Sequence, residues 1–160
     1  MASIFGFSIK NIKTFRGREW DGCQGDIYYN GKKVGWYNND GNGGGADIDF
    51  FGTFETRQWF ENKLSQATKE YFTRFPLEGE YSIITPDNEM LLSALCDLIV
   101  DEQTYKRYLK KGKPFMVTFE EGYKHQLAVC ETDKVFEMVD EIEGATEVRK
   151  YRSLQDFEIK

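Results

Sequence analysis

The sequence predicts an α+β fold, and three observations carry the prediction. The first 51 residues alternate apolar and polar positions around an Asn-Gly dipeptide. Two segments further on repeat apolar residues every three and four positions. Two more alternating runs, a short amphipathic stretch and a last apolar run follow. The predicted order is ββββααββαβ: a four-stranded antiparallel meander, two helices, then a β-hairpin, a short helix and a final strand. At 160 residues the chain fits one domain spanning 1–160, long enough to bury a core without metal or disulfide support.

In the meander, residues 8–15 set Ile9 against Ser8 and Lys10, with Ile12 and Phe15 continuing the apolar content. Residues 26–30 and 33–37 flank Asn30-Gly31, the strongest short hairpin signal, because both turn residues take positive φ. A glycine-rich connection leads to a strand over 46–51, in which Asp47 and Asp49 share one face. Phe60, Leu64, Ala67, Tyr71 and Phe75 mark the first helix, with Thr53 as its N-cap and Pro76 as its stop. Residues 81–84 carry strand character. Thr85-Pro86 reads as N-cap and first turn of the second helix, whose buried stripe is Leu91, Leu95, Leu98, Tyr105 and Leu109, closed by Gly112. A hairpin pairs 115–119 with 124–130. A helix over 133–143, capped by Thr132, buries Val135, Met138, Val139 and Ile142. A strand over 147–151 precedes a polar tail.

The net charge is -6, from 21 Lys and Arg against 27 Asp and Glu. Residues 1–51 are neutral, so the excess acid lies in the helical remainder, most densely over 131–147. That disfavours nonspecific nucleic-acid binding and favours a basic partner. Cys23, Cys96 and Cys130 form an odd, widely spaced set, which excludes a disulfide framework and a Cys-rich zinc site. No apolar run approaches the roughly 18 residues of a membrane span, and no signal-peptide pattern opens the chain. These features predict a soluble, cytoplasmic protein with no membrane association and no cofactor.

The most unusual segment is 38–49, NNDGNGGGADID. Its glycine amides have the composition of an anion-binding nest, but no helix or Gly-Lys-Ser/Thr follows. Asp40, Asn42, Asp47 and Asp49 are oxygen donors of the kind calcium or magnesium takes, yet Phe51 stands where a calcium loop has its last ligand. A strand connection using glycine for positive φ is the simpler reading. Residues 26–50, DIYYNGKKVGWYNNDGNGGGADIDF, resemble small proteins carried by phages and plasmids, in which a Gly-Lys-Lys-x-Gly hairpin precedes Asp-Gly-x-Gly-Gly. The resemblance implies a context of host-defence antagonism, including anti-CRISPR inhibitors, and transfers no residue role.

Catalysis finds little support in the residues. His125 and Cys130, five apart on one strand, point to opposite faces, and His125 shares a face with Leu127 and Val129. Cys96 reads as core, and Cys23, beside Trp20 and Asp21, as exposed with nothing near it to lower its pKa. Glu61-Asn62-Lys63 carries the letters of a nuclease motif, but on a helix. No catalytic residue and no metal ligand is assigned. Lys106, Arg107, Lys110 and Lys111, interleaved with aromatics, are the candidate nucleic-acid contacts, set against their ordinary role at a helix C-terminus.

The clustered aromatics of the first third exceed what one buried sheet face needs, and Trp36 and Tyr37 point to opposite faces. The expected function is a non-enzymatic protein-binding module for a larger, basic protein such as a nucleic-acid-binding nuclease. Its candidate contacts are Trp36, Tyr37, Asp40, Asn42, Asp47 and Asp49. The alternative is a small metal- or anion-binding domain or enzyme using residues 38–49.

Overall fold

The computed structural model describes residues 1–19, 21–122 and 124–160. Strands β1 (Ser3–Ile4), β2 (Phe7–Arg16), β3 (Asp21–Tyr29), β4 (Lys32–Asn39) and β5 (Asp47–Phe50) come first. Helices α1 (Phe54–Arg74) and α2 (Asn88–Leu109) follow, then β6 (Phe115–Glu121), β7 (Lys124–Cys130), α3 (Lys134–Asp140), β8 (Ala145–Tyr151) and β9 (Glu158–Ile159). The α+β class and the antiparallel meander β2–β5 are as the sequence predicts. Trp20, and Tyr123 in the predicted turn of the second hairpin, lie outside the described residues.

The meander is part of a larger sheet, ordered β5-β4-β3-β2-β1-β9. Tyr29 pairs with Lys32 across Asn30-Gly31, whose φ values of 48° and 80° are the positive pair that a two-residue hairpin needs. Gly35 sits where β4 meets β5 so closely that a Cβ would lie 2.3 Å from the Asp49 carbonyl oxygen. The expected polar tail is instead structural. Residues Leu154–Phe157 form a 3₁₀ turn, and β9 then pairs in parallel with β1. Phe157 is fully buried, its ring stacked on Tyr151 at 4.2 Å between centroids.

Helix α1 starts at the predicted cap, where the Thr53 hydroxyl accepts the Thr56 amide. Leu64, Ala67 and Tyr71 are buried, while Phe75, past the last turn, is exposed. The predicted strand character at 81–84 is a 3₁₀ turn over Gly79–Ile83, lying between Pro76 and Pro86. Asp87, not Thr85, caps α2. Its carboxylate accepts the Met90 amide at 2.9 Å, so Pro86 precedes the cap and does not fill the first turn. Leu91, Leu95, Leu98 and Tyr105 are buried as expected, and Leu109 is exposed at the helix end.

The second sheet has the order β7-β6-β8. Val117 and Phe119 on one face pack on α3, with Phe136 edge-on to Phe115. That contact rotates α3 from the expected stripe: Val135, Phe136 and Val139 are buried and Met138 is exposed. The helix is also shorter than predicted, and Asp133, not Thr132, is its first flanking residue, with no side-chain cap bond. The other face of this sheet carries Met116 and Tyr151 into the main core with α2. Among the described residues no helix is long and apolar enough to cross a membrane.

Candidate functional site

The sequence-predicted contacts divide between two sides of the large sheet. Trp36 lies directly between Asp26 on β3 and Asp49 on β5, and Asn38 lies opposite Asp47. Residues directly opposite one another share a face, so Asp26, Trp36, Asn38, Asp47 and Asp49 form one outward surface. Trp36 is 37% exposed, and among the described residues its ring stacks on no other. Tyr28, nearby on the same face, is covered by the Lys10 ammonium at 4.4 Å. Asp26 is held below the usual carboxylate range by its hydrogen bond from Asn11 and by Lys33, whose Nζ stands 2.9 Å away.

Tyr37 leaves this group. It is 1% exposed, on the inner face, and its hydroxyl is pushed well above its ordinary pKa by burial. The alternation that turns Trp36 outward turns its neighbour into the core.

In the glycine-rich loop, the side-chain oxygens hold the loop together. Asp40 accepts the Asn42 amide at 2.9 Å, and Asn42 accepts the Arg18 amide at 3.0 Å. The Gly41 carbonyl accepts the Glu19 amide, and the Glu19 carboxylate lies against Gly43. A carboxylate beside these amides opposes an anion. Among the described residues no three His, Cys, Asp or Glu side chains converge as metal ligands.

The basic residues at the end of α2 are largely engaged by their own helix. Lys106 pairs with Glu102 at 3.1 Å, Arg107 donates to the Thr104 hydroxyl, and Lys111 lies over the Tyr108 ring. Lys110 is the C-cap residue. Cationic side chains there complement the helix dipole. Glu61 and Lys63 lie within α1, as the periodicity indicates.

Cys23 is buried, against the expectation that it is exposed, because β3 turns it towards α2, where it meets Cys96. The hydrogen bond between the thiols and burial together keep Cys96 protonated well above the ordinary thiol range. The same bond lowers Cys23.

A second site, not anticipated from the sequence, opens along α2. Met90, Ala94, Asp97 and Asp101 recur on one helical face and line a chain of cavities between α1, α2 and the second sheet. The outer cavity, about 390 Å³, has Phe72, Phe75, Leu77, Met90 and Val148 among its walls. The inner one, about 80 Å³, is bordered by Asp97, Asp101, Glu120, His125, Glu147 and Tyr151. Asp97, Glu147 and Arg149 line both. A third cavity, about 730 Å³, reaches Asp97 from the Cys23 and Tyr37 side.

Each polar group here has an identifiable origin. Glu120 and His125 are register partners on the α2-facing side of the second sheet, as are Thr118 and Arg149. Glu147 sits at a bulge: between the pairs Thr118–Arg149 and Glu120–Thr146, β8 has one residue more than β6. Glu147 takes φ of 50°, costly for a residue with a Cβ, and its amide donates to Glu78 at 2.9 Å. The bulge re-aims Glu147 into the cleft.

His125 is half exposed and lies between two carboxylates. Its Nδ1 donates to Glu120 Oε1 at 2.7 Å and its Nε2 faces Asp101 Oδ1 at 3.4 Å. The contact with Asp101, then that with Glu120, raises its pKa to about 9, so it is cationic at neutral pH. Arg149 donates to the Tyr71 hydroxyl and lies over the Tyr71 and Phe75 rings.

Asp97 has no such support. Asp97 keeps exposed surface, because it faces the cleft and not the core. Desolvation by its surroundings, then the Asp101 charge, push its carboxyl up to about 6. Burial, then Glu120, raise Glu147 as well. The expected structural role of His125 fits its two carboxylate contacts, and its alignment with Leu127 and Val129 was readable. Asp97, Asp101, Glu120, Glu147 and Arg149 were missed. The one available signal was a pair of acids, 97 and 101, interrupting the apolar pattern of α2.

Comparison of the chain with protein-family models, with curated proteins and with solved structures gives no match.

Proposed function

We propose that the chain is a non-enzymatic protein-binding module whose contact surface is the outer face of β4 and β5. The observation that supports this reading is Trp36, an exposed ring on a sheet face, flanked in register by Asp26 and Asp49. A tryptophan bordered by Asp49, and by Asp26 which Lys33 already holds, is suited to a basic partner: the ring supplies desolvated contact area, and the acids speed and orient docking. Asp40 and Asn42 extend the surface beyond the end of β4, and Asp47 borders Asn38. The resemblance of residues 26–50 to small phage and plasmid proteins gives the partner a class, a basic nucleic-acid-binding nuclease of host defence. The module would then occlude a nucleic-acid-binding surface without chemistry.

The test is parallel affinity capture from the native host with wild-type protein and a Trp36→Ala, Asp40→Asn, Asp49→Asn variant, read by mass spectrometry. Partner captured by the wild type is lost with the variant, while the melting curve of the variant is unchanged. Equal capture by a folded variant overturns the assignment.

A further inference from the structure

Cys23 on β3 and Cys96 on α2 stand 73 positions apart in the chain, and only the fold brings them together. Their thiols share a hydrogen bond. Sulfurs in that contact are already neighbours, and a disulfide draws such a pair in to about 2.05 Å. Cys130 takes no part. It ends β7 and packs against the separate core of the second sheet and α3.

The surroundings leave the pair accessible to a small reagent. Both cysteines belong to the main core, yet both also line the cavity of about 730 Å³, together with Gly22, Tyr37, Asn39 and Ser93. A water occupies about 30 Å³, and hydrogen peroxide is only slightly larger, so such a molecule has room to reach the sulfurs. Cys23 is the more open of the two, 9% exposed against 4% for Cys96.

The two thiols are not equivalent. The hydrogen bond from Cys96 lowers the pKa of Cys23, whereas the same bond, then burial, keeps Cys96 protonated. The adjacent Asp97 carboxylate opposes ionisation of both, so Cys96 itself is what favours the Cys23 thiolate. Thiolates, not thiols, attack peroxides.

We infer that Cys23 and Cys96 are a peroxide-sensitive dithiol, a modification site that closes into a disulfide between β3 and α2. The Cys23 thiolate attacks one oxygen of hydrogen peroxide. The O–O bond breaks, an S–O bond forms, and the departing hydroxide takes up the proton that Cys23 had released, giving water. The Cys96 sulfur then attacks the sulfur of the Cys23 sulfenic acid. The S–O bond breaks, the S–S bond forms, and the displaced hydroxide leaves with the Cys96 proton as a second water. The thiol pair loses two electrons and the peroxide gains them. The crosslink closes a loop of 73 positions, which restricts the unfolded chain. It also ties α2 to the strand position that pairs with Asn39, where the glycine-rich loop begins.

The test treats the reduced protein with a few equivalents of hydrogen peroxide, then alkylates the remaining thiols and maps peptides by mass spectrometry. A linked pair of peptides containing Cys23 and Cys96 appears, Cys130 stays alkylated, and dithiothreitol reverses the link. The oxidised protein melts roughly 5–15 °C above the reduced one. A Cys130→Ser protein gives the same link and the same shift. In Cys96→Ala the sulfenic-acid trap dimedone labels Cys23, and in Cys23→Ala it leaves Cys96 unlabelled. The inference is overturned if Cys23 and Cys96 both stay free under peroxide that fully oxidises glutathione alone. Dimedone labelling of Cys96 in place of Cys23, or links that involve only Cys130 or only join two chains, overturn it as well. The pair lines its cavity with Tyr37, which faces away from Trp36, so either outcome leaves the partner-capture result to stand by itself.

Discussion

Asp97→Asn should stabilise the free protein. The Asp97 carboxyl moves from its ordinary 3.8 to about 6 on folding, because neighbouring protein strips water from the charged form and Asp101 repels it. Holding that group ionised would cost about 3 kcal/mol with no solvent screening. Asp97 keeps exposed surface at the cleft mouth, where water screens it, so the expected cost is roughly 1 kcal/mol. The native state retains the proton longer than the unfolded chain. Stability is therefore lost as pH rises from about 4 through 6, and the deficit is full above that. The amide has the same shape and no charge to desolvate. Melting of the two proteins should coincide near pH 3.5 and diverge to about 3 °C in favour of the variant near pH 7.5. Differential scanning calorimetry at the two pH values measures this. A variant less stable than wild type near pH 7.5, or a difference that ignores pH, would refute the electrostatic account of Asp97.

The remaining predictions concern the histidine and the chain end. His125→Gln removes a cation held by Asp101 and Glu120, whose folded pKa is raised from 6.5 to about 9. Its stabilisation is complete below 6.5 and lost as pH rises through 9, so the variant should lose roughly 1 kcal/mol near pH 6 and nothing near pH 10. Urea midpoints at those two pH values give the answer, and a loss that persists near pH 10 would make the role one of packing. Phe157→Ala should cost about 3–5 kcal/mol, as for any large buried ring. A polar tail would lose no more than about 0.5 kcal/mol on the same change, so denaturant unfolding separates the two descriptions.

The legible parts of the fold are those set by local chemistry. Asn30-Gly31 specifies a hairpin because its backbone requirement is intrinsic to those two residues. Thr53 and Pro76 bound α1 because capping and chain stiffness act within a turn. Errors arose where a distant contact chose between local options. Asp87 and Thr85 are both competent caps, and Phe157 joins the core only because Tyr151 is there to meet it. Tyr37 and Trp36 were correctly set on opposite faces, but alternation alone does not say which face is inside. The cleft was illegible for a stronger reason. Its acids come from α2, β6 and β8, and Glu147 reaches it through a positive φ that no sequence rule assigns to glutamate. Cys23 and Cys96, 73 positions apart, meet only because β3 crosses α2.

The cleft follows from the way α2 packs, where α1 on one side and the second sheet on the other do not close on each other. The helix buries Leu91, Leu95 and Leu98, and these contacts tie it to the core. The intervening face, with Ser93, Ala94 and Asp97, is left towards the gap. A gap of this kind needs polar lining, since water reaches it, but it does not need charge. Asparagine at 97 would hydrate equally well and avoid repulsion from Asp101. Glycine at 147 would adopt the same bulge without strain. At both positions the less costly residue is absent, and both residues line the same cavity beside Asp101 and Glu120. What Asp97 and Glu147 have that asparagine and glycine lack is a negative charge at the edge of the cleft, kept although burial and neighbouring acids raise the pKa of both.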